Sequence, residues 1–391
     1  MSALTPVLAA LEAGRREGIA PGLAAEVRVR GALAHLSFSG AASLVPEARP
    51  LGRDHLFDVA SLTKLFVASA VARLADRGAL DLDAPARDYL PELEREGALV
   101  TLRHLLAHAS GLAAYRPFYE EAARDEVAGA AFRPAPERPD AAGLAEAFRR
   151  GRAIVLEALA REPLTAPPGS RAVYSDPGFI ALGFALERAT GSSLERVVEA
   201  EVLLPLGLRR TFYLGGLEPE RATALRGAHA FAATRRAAAR GGEVLCGAVD
   251  DDNAWALGGA AGHAGLFAHP SDVAEFGAAW LEALAGRSAW LSARTAEQFL
   301  ARDRTPGSER ALGWDTPSKA GSALGSRLGR GPRGAVGHLG YTGTSLWLDR
   351  DAEVVCVLLT NHVHPDGPQR ERLRNFRARF HDAVAEAIGV G

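Results

Sequence analysis

The chain has 391 residues, 45 Lys plus Arg, 47 Asp plus Glu and a formal net charge of −2. That near-balance gives no reason to expect nucleic acid or an acidic membrane surface as partner. Only Lys64 and Lys319 are lysine, and neither stands in a Gly-Lys-Ser/Thr sequence, so a phosphate-binding P-loop is excluded.

The first segment, up to Gly18, reads as an amphipathic helix. Arg15 and Arg16 follow its apolar residues, the wrong order for a signal peptide. Gly22–Gly40 alternates apolar and polar residues around Gly31, a two-stranded hairpin pattern. Phe57–Ala60 is a short apolar approach to Ser61. From Ser61 the period becomes helical, through Leu62, Leu65, Phe66 and Ser69, up to Gly78. Thr101 caps a further helix ending at Ser110-Gly111. Residues 112–140, with four prolines, read as a long loop or lid. Helices fit Ala141–Arg161, Pro177–Thr190 and Ser193–Leu203. Short strands fit Ala264–Ala268, Ala335–Leu339, Thr344–Leu348 and Val354–Thr360. Helices fit Ser271–Leu284, Ala293–Ala301 and Arg370–Ile388.

Strands thus lie at both ends of the chain and helices in the middle. This is an α+β arrangement: an antiparallel sheet flanked by helices, with an inserted helical lobe. The expected lobes are residues 1–60 with 211–391, and residues 61–210. No apolar run approaches the roughly 20 residues of a membrane span. Cys246 and Cys356 do not form a disulfide framework, and a reducing cytoplasm is the expected compartment.

Three features carry chemistry. In Ser61-Leu62-Thr63-Lys64, a helix starting at Ser61 puts serine and lysine one turn apart on one face. A serine hydroxyl is a weak nucleophile and needs a base. A buried lysine near another cation can lose its proton and serve as one. The apolar flanks of this segment argue against an exposed turn. Next, Pro167-Pro168-Gly169-Ser170 leads to Tyr174-Ser175-Asp176 just before a helix. A phenolate at Tyr174 beside Lys64 would take the serine proton and return it to a leaving group. Third, Gly337-His338-Leu339-Gly340-Tyr341-Thr342-Gly343 is a glycine-flanked strand. Its N–H groups can complete an oxyanion hole with that of Ser61.

In this order the three features resemble the penicillin-recognising serine enzymes: class C β-lactamases, D-Ala-D-Ala carboxypeptidases and related esterases. The resemblance runs from about Phe57 to Asn361, through FDVASLTK, LRHLLAHASGL, PPGSRAVYSD, NAWALGGAAGHAGLF and GHLGYTGTSLWLD. It implies the β-lactamase/transpeptidase-like fold and an acyl-enzyme hydrolase of esters or amides that needs no cofactor or metal. It implies Ser61 as nucleophile, Lys64 as its proton partner and Tyr174 as general base and acid. The N–H groups of Ser61 and Tyr341 form the implied oxyanion hole. His338 replaces the lysine of the K-T-G box, and Asp251 and Asn253 fall near the cleft.

Two departures bear on substrate. Asp176 stands where those β-lactamases carry Asn, and an ionised carboxylate cannot donate to an acylamide oxygen. Asp176 would also hold Lys64 charged. Neutral His338 and Leu339 weaken recognition of a β-lactam carboxylate. An esterase or peptidase is therefore expected ahead of an efficient β-lactamase. The rival reading is a non-catalytic scaffold of the same fold that binds a ligand without turnover.

Other patterns are set aside. Residues 329–334 match G-x-G-x-x-G but follow no strand and contain Pro332. His104 and His108 have zinc-helix spacing but lack the glutamate between them. His263, between glycines, reads as structural. No G-x-S-x-G occurs.

Overall fold

The computed structural model describes residues 5–216, 219–318, 322–367 and 369–390. Lys319 lies outside the described residues. The main sheet has six antiparallel strands, in the order Ala335–Leu339, Ser345–Asp349, Val354–Thr360, Gly22–Val29, Ala32–Ser43, Arg49–Pro50. Leu23 pairs with Thr360 and Val29 with Val354, so the two ends of the chain meet at the centre of the sheet. This is the α+β architecture expected from strands at both termini.

Period-two alternation explains the layering. Val354, Cys356 and Leu358 face a core that includes Val7 and Leu11 of the helix Thr5–Arg16 and Phe376 and Phe380 of the helix Arg370–Ile388. Val355, Val357 and Leu359 face the opposite way, into the main core with the helix Pro270–Leu284. The sheet is therefore covered on both faces, which is why Val354–Thr360 reads as an unbroken apolar run.

A second sheet has the order Thr211–Tyr213, Leu266–Ala268, His55–Asp58, Ala230–Phe231, and its last pair is parallel. These short strands, apart from the one in Ala264–Ala268, are too brief to show a period and were not expected. The segment 112–140 is not a loose lid. It folds into short helices at Tyr119–Arg124 and Ala128–Phe132, with Phe118, Ala122, Ala131 and Phe132 buried. The Trp255 indole N–H donates to the Ala131 carbonyl at 3.1 Å, fastening the segment to the helix Asp252–Ala256. Only Ala114 and Tyr115 of it line the cleft described below. Among the described residues, no helix is long and apolar enough to cross a membrane.

Candidate active site

The helix carrying Lys64 begins at Thr63, two residues later than expected. Ser61 sits instead in a 3₁₀ turn, Ala60–Leu62. Ala60 just before it has φ of +48°, a left-handed conformation that costs a non-glycine residue about 1 kcal/mol or more. Several contacts hold this turn. The Asp58 carboxylate accepts the N–H of Ala60 at 2.8 Å and of Asp250 at 2.6 Å. The Thr342 hydroxyl donates to the Asp58 carbonyl at 2.7 Å, and Thr344 to the Val59 carbonyl at 3.0 Å. Asp58 is buried and its carboxyl is pushed up to about 7, first by desolvation and then by the charge of Asp250.

Gly340 is required for this closeness. A Cβ there would lie 2.7 Å from the Val59 carbonyl oxygen and would also strike the Thr344 hydroxyl. The loop after the strand Ala335–Leu339 thus packs directly on the residues leading into Ser61.

Lys64 has no exposed surface. Its ammonium donates to Ser61 Oγ at 3.0 Å and to the His263 carbonyl at 3.1 Å, and pairs with Asp176 at 2.8 Å. Desolvation opposes the charge, but the attraction and hydrogen bonding of Asp176 and Tyr174 outweigh it and raise the Lys64 pKa. The surroundings of Lys64, Asp176 first among them, favour the ammonium form.

The stretch His108–Ala114 positions Tyr174 and Asp176. The His108 carbonyl accepts the Val173 N–H at 2.8 Å, and its Nδ1 accepts the Ser175 N–H at 3.0 Å. The Ala114 carbonyl accepts the Asp176 N–H at 3.0 Å. Ser175 then caps the helix Asp176–Thr190 through the Gly178 N–H. The His108 ring lies 4.6 Å from the Tyr174 ring. Two cations flank that phenol ring: Lys64 Nζ at 4.9 Å and the Arg310 guanidinium at 4.8 Å from its centroid. Arg310 in turn pairs with Asp315.

His338 is buried, with its ring 5.8 Å from that of Tyr174. Burial, then the charges of Lys64 and Arg310, push its pKa well below the usual value. The imidazole is neutral. Its Nδ1 bonds the Leu339 carbonyl at 2.9 Å and so carries the proton, which leaves Nε2 as a buried acceptor without a protein partner.

Ser61, Tyr174, Asp176, Asp251, His338, Gly340 and Tyr341 line one cleft of about 960 Å³, and Lys64 lies beneath its floor. Asn253 does not join them. Its side-chain oxygen accepts the Tyr119 N–H at 2.9 Å and its amide donates to the Arg116 carbonyl at 2.8 Å, so it anchors the 112–140 segment. Asp251 caps the helix Asp252–Ala256 and holds His263 Nε2 at 2.8 Å. His263 is structural, as its glycine context implies, yet its carbonyl is a partner of Lys64.

Arg235, Arg310, Arg370 and Arg377 also lie at the cleft. In an arginine-rich chain no local signal separates them from surface arginines. The set-aside patterns have other uses. His104 closes a capping box with Thr101, and the N–H groups of Gly329, Arg333 and Gly334 bind the Asp349 and Asp351 carboxylates.

The chain is similar to several known proteins. A putative D-alanyl-D-alanine carboxypeptidase of Escherichia coli (strain K12) is 28% identical over 324 residues, covering 79% of this chain and 69% of that protein. One of Salmonella typhimurium is 29% identical over 321 residues, covering 79% and 70%. Among solved structures, EstCE1, a hydrolase with promiscuous acyltransferase activity, superposes with TM-score 0.70 at 21% identity over 98% of both chains. An octameric penicillin-binding protein homologue from Pyrococcus abyssi gives 0.68 at 21% identity over 98% of this chain and 77% of that one. These structural likenesses bear on the fold. The family model described as Beta-lactamase matches residues 8–379, and on that match the chain belongs to the beta-lactamase family of serine hydrolases.

Proposed function

We propose that the protein hydrolyses a small ester or amide through an acyl-enzyme on Ser61, at the seam between a sheet lobe and a helical lobe. The observation that carries this reading is the contact of Ser61 Oγ with a fully buried Lys64 ammonium, beneath a cleft lined by Tyr174. Ser61 Oγ attacks the substrate carbonyl carbon as Tyr174 takes its proton. Tyr174 acts here as the phenolate: Lys64 and Arg310 put positive charge beside it, and taking the proton leaves it a neutral phenol. The tetrahedral oxyanion is held by the N–H groups of Ser61 and Tyr341. Their neighbours' N–H groups are already committed: Ala60 to Asp58, Leu62 to Val59 and Gly340 to Thr344. Tyr174 then protonates the leaving alcohol or amine. In the second half, water attacks the acyl ester, gives its proton to Tyr174, and Ser61 leaves with that proton restored.

The substrate preference rests on Asp176 and His338. Asp176 offers acceptors only, and neutral His338 offers a lone pair at Nε2 where a permanent cation would draw a carboxylate. This favours esters and peptide-like amides over β-lactams. The test is an acyl-chain series of nitrophenyl esters beside D-amino-acid amides and a chromogenic cephalosporin, run with Ser61→Ala as control. Ser61-dependent turnover of the esters or amides, well above that of the cephalosporin, is expected. Faster turnover of the cephalosporin would overturn the preference, and turnover independent of Ser61 would overturn the mechanism.

A further inference from the structure

Arg377 is a buried cation at the edge of the cleft, without an acidic partner among the described residues. It projects from the helix Arg370–Ile388 against the loop Gly340–Thr344. Its guanidinium donates to the Gly340 carbonyl at 2.9 Å and to the Thr344 carbonyl at 2.6 Å, while its Nε finds no partner. Among the described residues no carboxylate lies within ion-pairing distance of it. Burial alone draws its pKa down to about 9, so at neutral pH it remains charged. Burying an unpaired charge is costly, and a neutral side chain would fill the same space at less cost.

The geometry gives that cost a use. The Gly340 carbonyl belongs to the same peptide unit as the Tyr341 N–H, and the two point in opposite directions across a planar trans unit. Gly340 opens a turn closed by the Gly343 N–H on the Gly340 carbonyl at 3.1 Å. Arg377 adds a charged donor to that same oxygen. The carbonyl is thereby fixed toward the protein, and the Tyr341 N–H is fixed away from it. A charged bond on the oxygen also polarises the unit, which makes its N–H a stronger donor. The second bond, to Thr344, grips the other end of the loop, where the Gly340 N–H already donates at 2.8 Å.

We infer that Arg377 is the positioning residue of the oxyanion hole, setting the Tyr341 N–H and strengthening it through the Gly340 carbonyl. The inference rests on the acyl-enzyme reading above. It predicts an effect on the anionic tetrahedral state and little effect on the neutral ground state.

The experiment compares wild type, Arg377→Lys and Arg377→Gln with p-nitrophenyl acetate as substrate and phenylboronic acid as the tetrahedral, oxyanion-bearing probe. Thermal melts accompany each variant. Arg377→Gln is expected to lower kcat about 10- to 100-fold and weaken boronate affinity in parallel, with KM within about twofold. Arg377→Lys, which keeps a buried cation and one donor, is expected to fall between and serves as the test if Arg377→Gln does not fold. Folded variants with wild-type kcat and wild-type boronate affinity would overturn the inference. So would a lowered melting temperature with kcat and boronate affinity intact, which is the mark of a purely structural arginine. Wild type lacking Ser61-dependent turnover would instead overturn the acyl-enzyme reading, and this inference with it.

Discussion

The core between the main sheet and the two terminal helices is filled by Val7, Leu11, Leu23, Val27, Leu358, Phe376 and Phe380. The corner beneath Ser61 is just as buried, but holds Asp58, Lys64, His108, His338 and Arg377. The first region gains from removing apolar surface from water. The second gives up that gain and must satisfy each polar group with a specific partner. It does so largely with backbone, leaving His108 Nε2, His338 Nε2 and Arg377 Nε without a protein partner. Lys64 bonds a carbonyl of residue 263, Arg377 bonds carbonyls of 340 and 344, and Asp58 bonds N–H groups of 60 and 250. A sheet core tolerates exchange among hydrophobic residues of similar volume, whereas the corner depends on the exact atoms that meet there.

The largest expected effect comes from Lys64→Arg. The ammonium occupies a fully enclosed site with three partners in different directions, and a planar guanidinium does not fit that geometry. Acylation of Ser61, followed by ester burst kinetics, is expected to fall about 10³-fold or more. In the other region, Leu358→Ala should cost about 2–5 kcal/mol in denaturant unfolding and leave kcat per folded molecule unchanged. A loss of kcat in that variant would show that the two regions are coupled.

Asp176→Asn removes the anion that raises the Lys64 pKa. The alkaline limb of the kcat/KM profile should then move to lower pH. The new amide can also donate to an acylamide oxygen, so acylation by a penicillin should rise over wild type. An unmoved alkaline limb would separate Lys64 from the proton chemistry.

Two pH slopes of opposite sign complete the comparison, that of His381 being the smallest effect. His381, in the helix over the sheet, is buried with its pKa lowered to about 4. Between pH 6.5 and 4 the unfolded chain binds the proton and the folded chain does not, so stability falls as pH drops. At pH 5.5 this amounts to about 1 kcal/mol, and His381→Asn should flatten it in pH-dependent urea melts. Asp58 does the reverse. Its carboxyl keeps a proton up to about 7 in the fold but loses it near 3.8 when unfolded, so it costs stability as pH rises between those values. Asp58→Asn should remove that slope.

Legibility in the sequence followed the same division. The strand Val354–Thr360 and the helix Arg370–Ile388 announce themselves by period, because their packing is set by which face each residue takes. Ser61, Lys64 and Tyr174 were legible because residue types, order and spacing all point to one chemistry. Position within the corner was not. The 3₁₀ turn at Ser61 depends on Asp58 and Thr342, contacts from elsewhere in the chain. Asn253 looked like a cleft residue by its place in a motif, but its amide is taken by the backbone of Arg116 and Tyr119. The prolines of 112–140 suggested a loop because the apolar residues it buries are irregularly spaced. Arg377 was invisible because its role lies in two carbonyls of a loop more than thirty residues away.

The central claim is that Ser61 becomes covalently acylated with Lys64 as its buried cationic partner. Intact-protein and peptide mass spectrometry after treatment with a serine-reactive phosphonate tests it most directly. One adduct per chain is expected, on Ser61, absent in Ser61→Ala and strongly slowed in Lys64→Arg. No adduct on wild type, or an adduct that persists in Ser61→Ala, would contradict it.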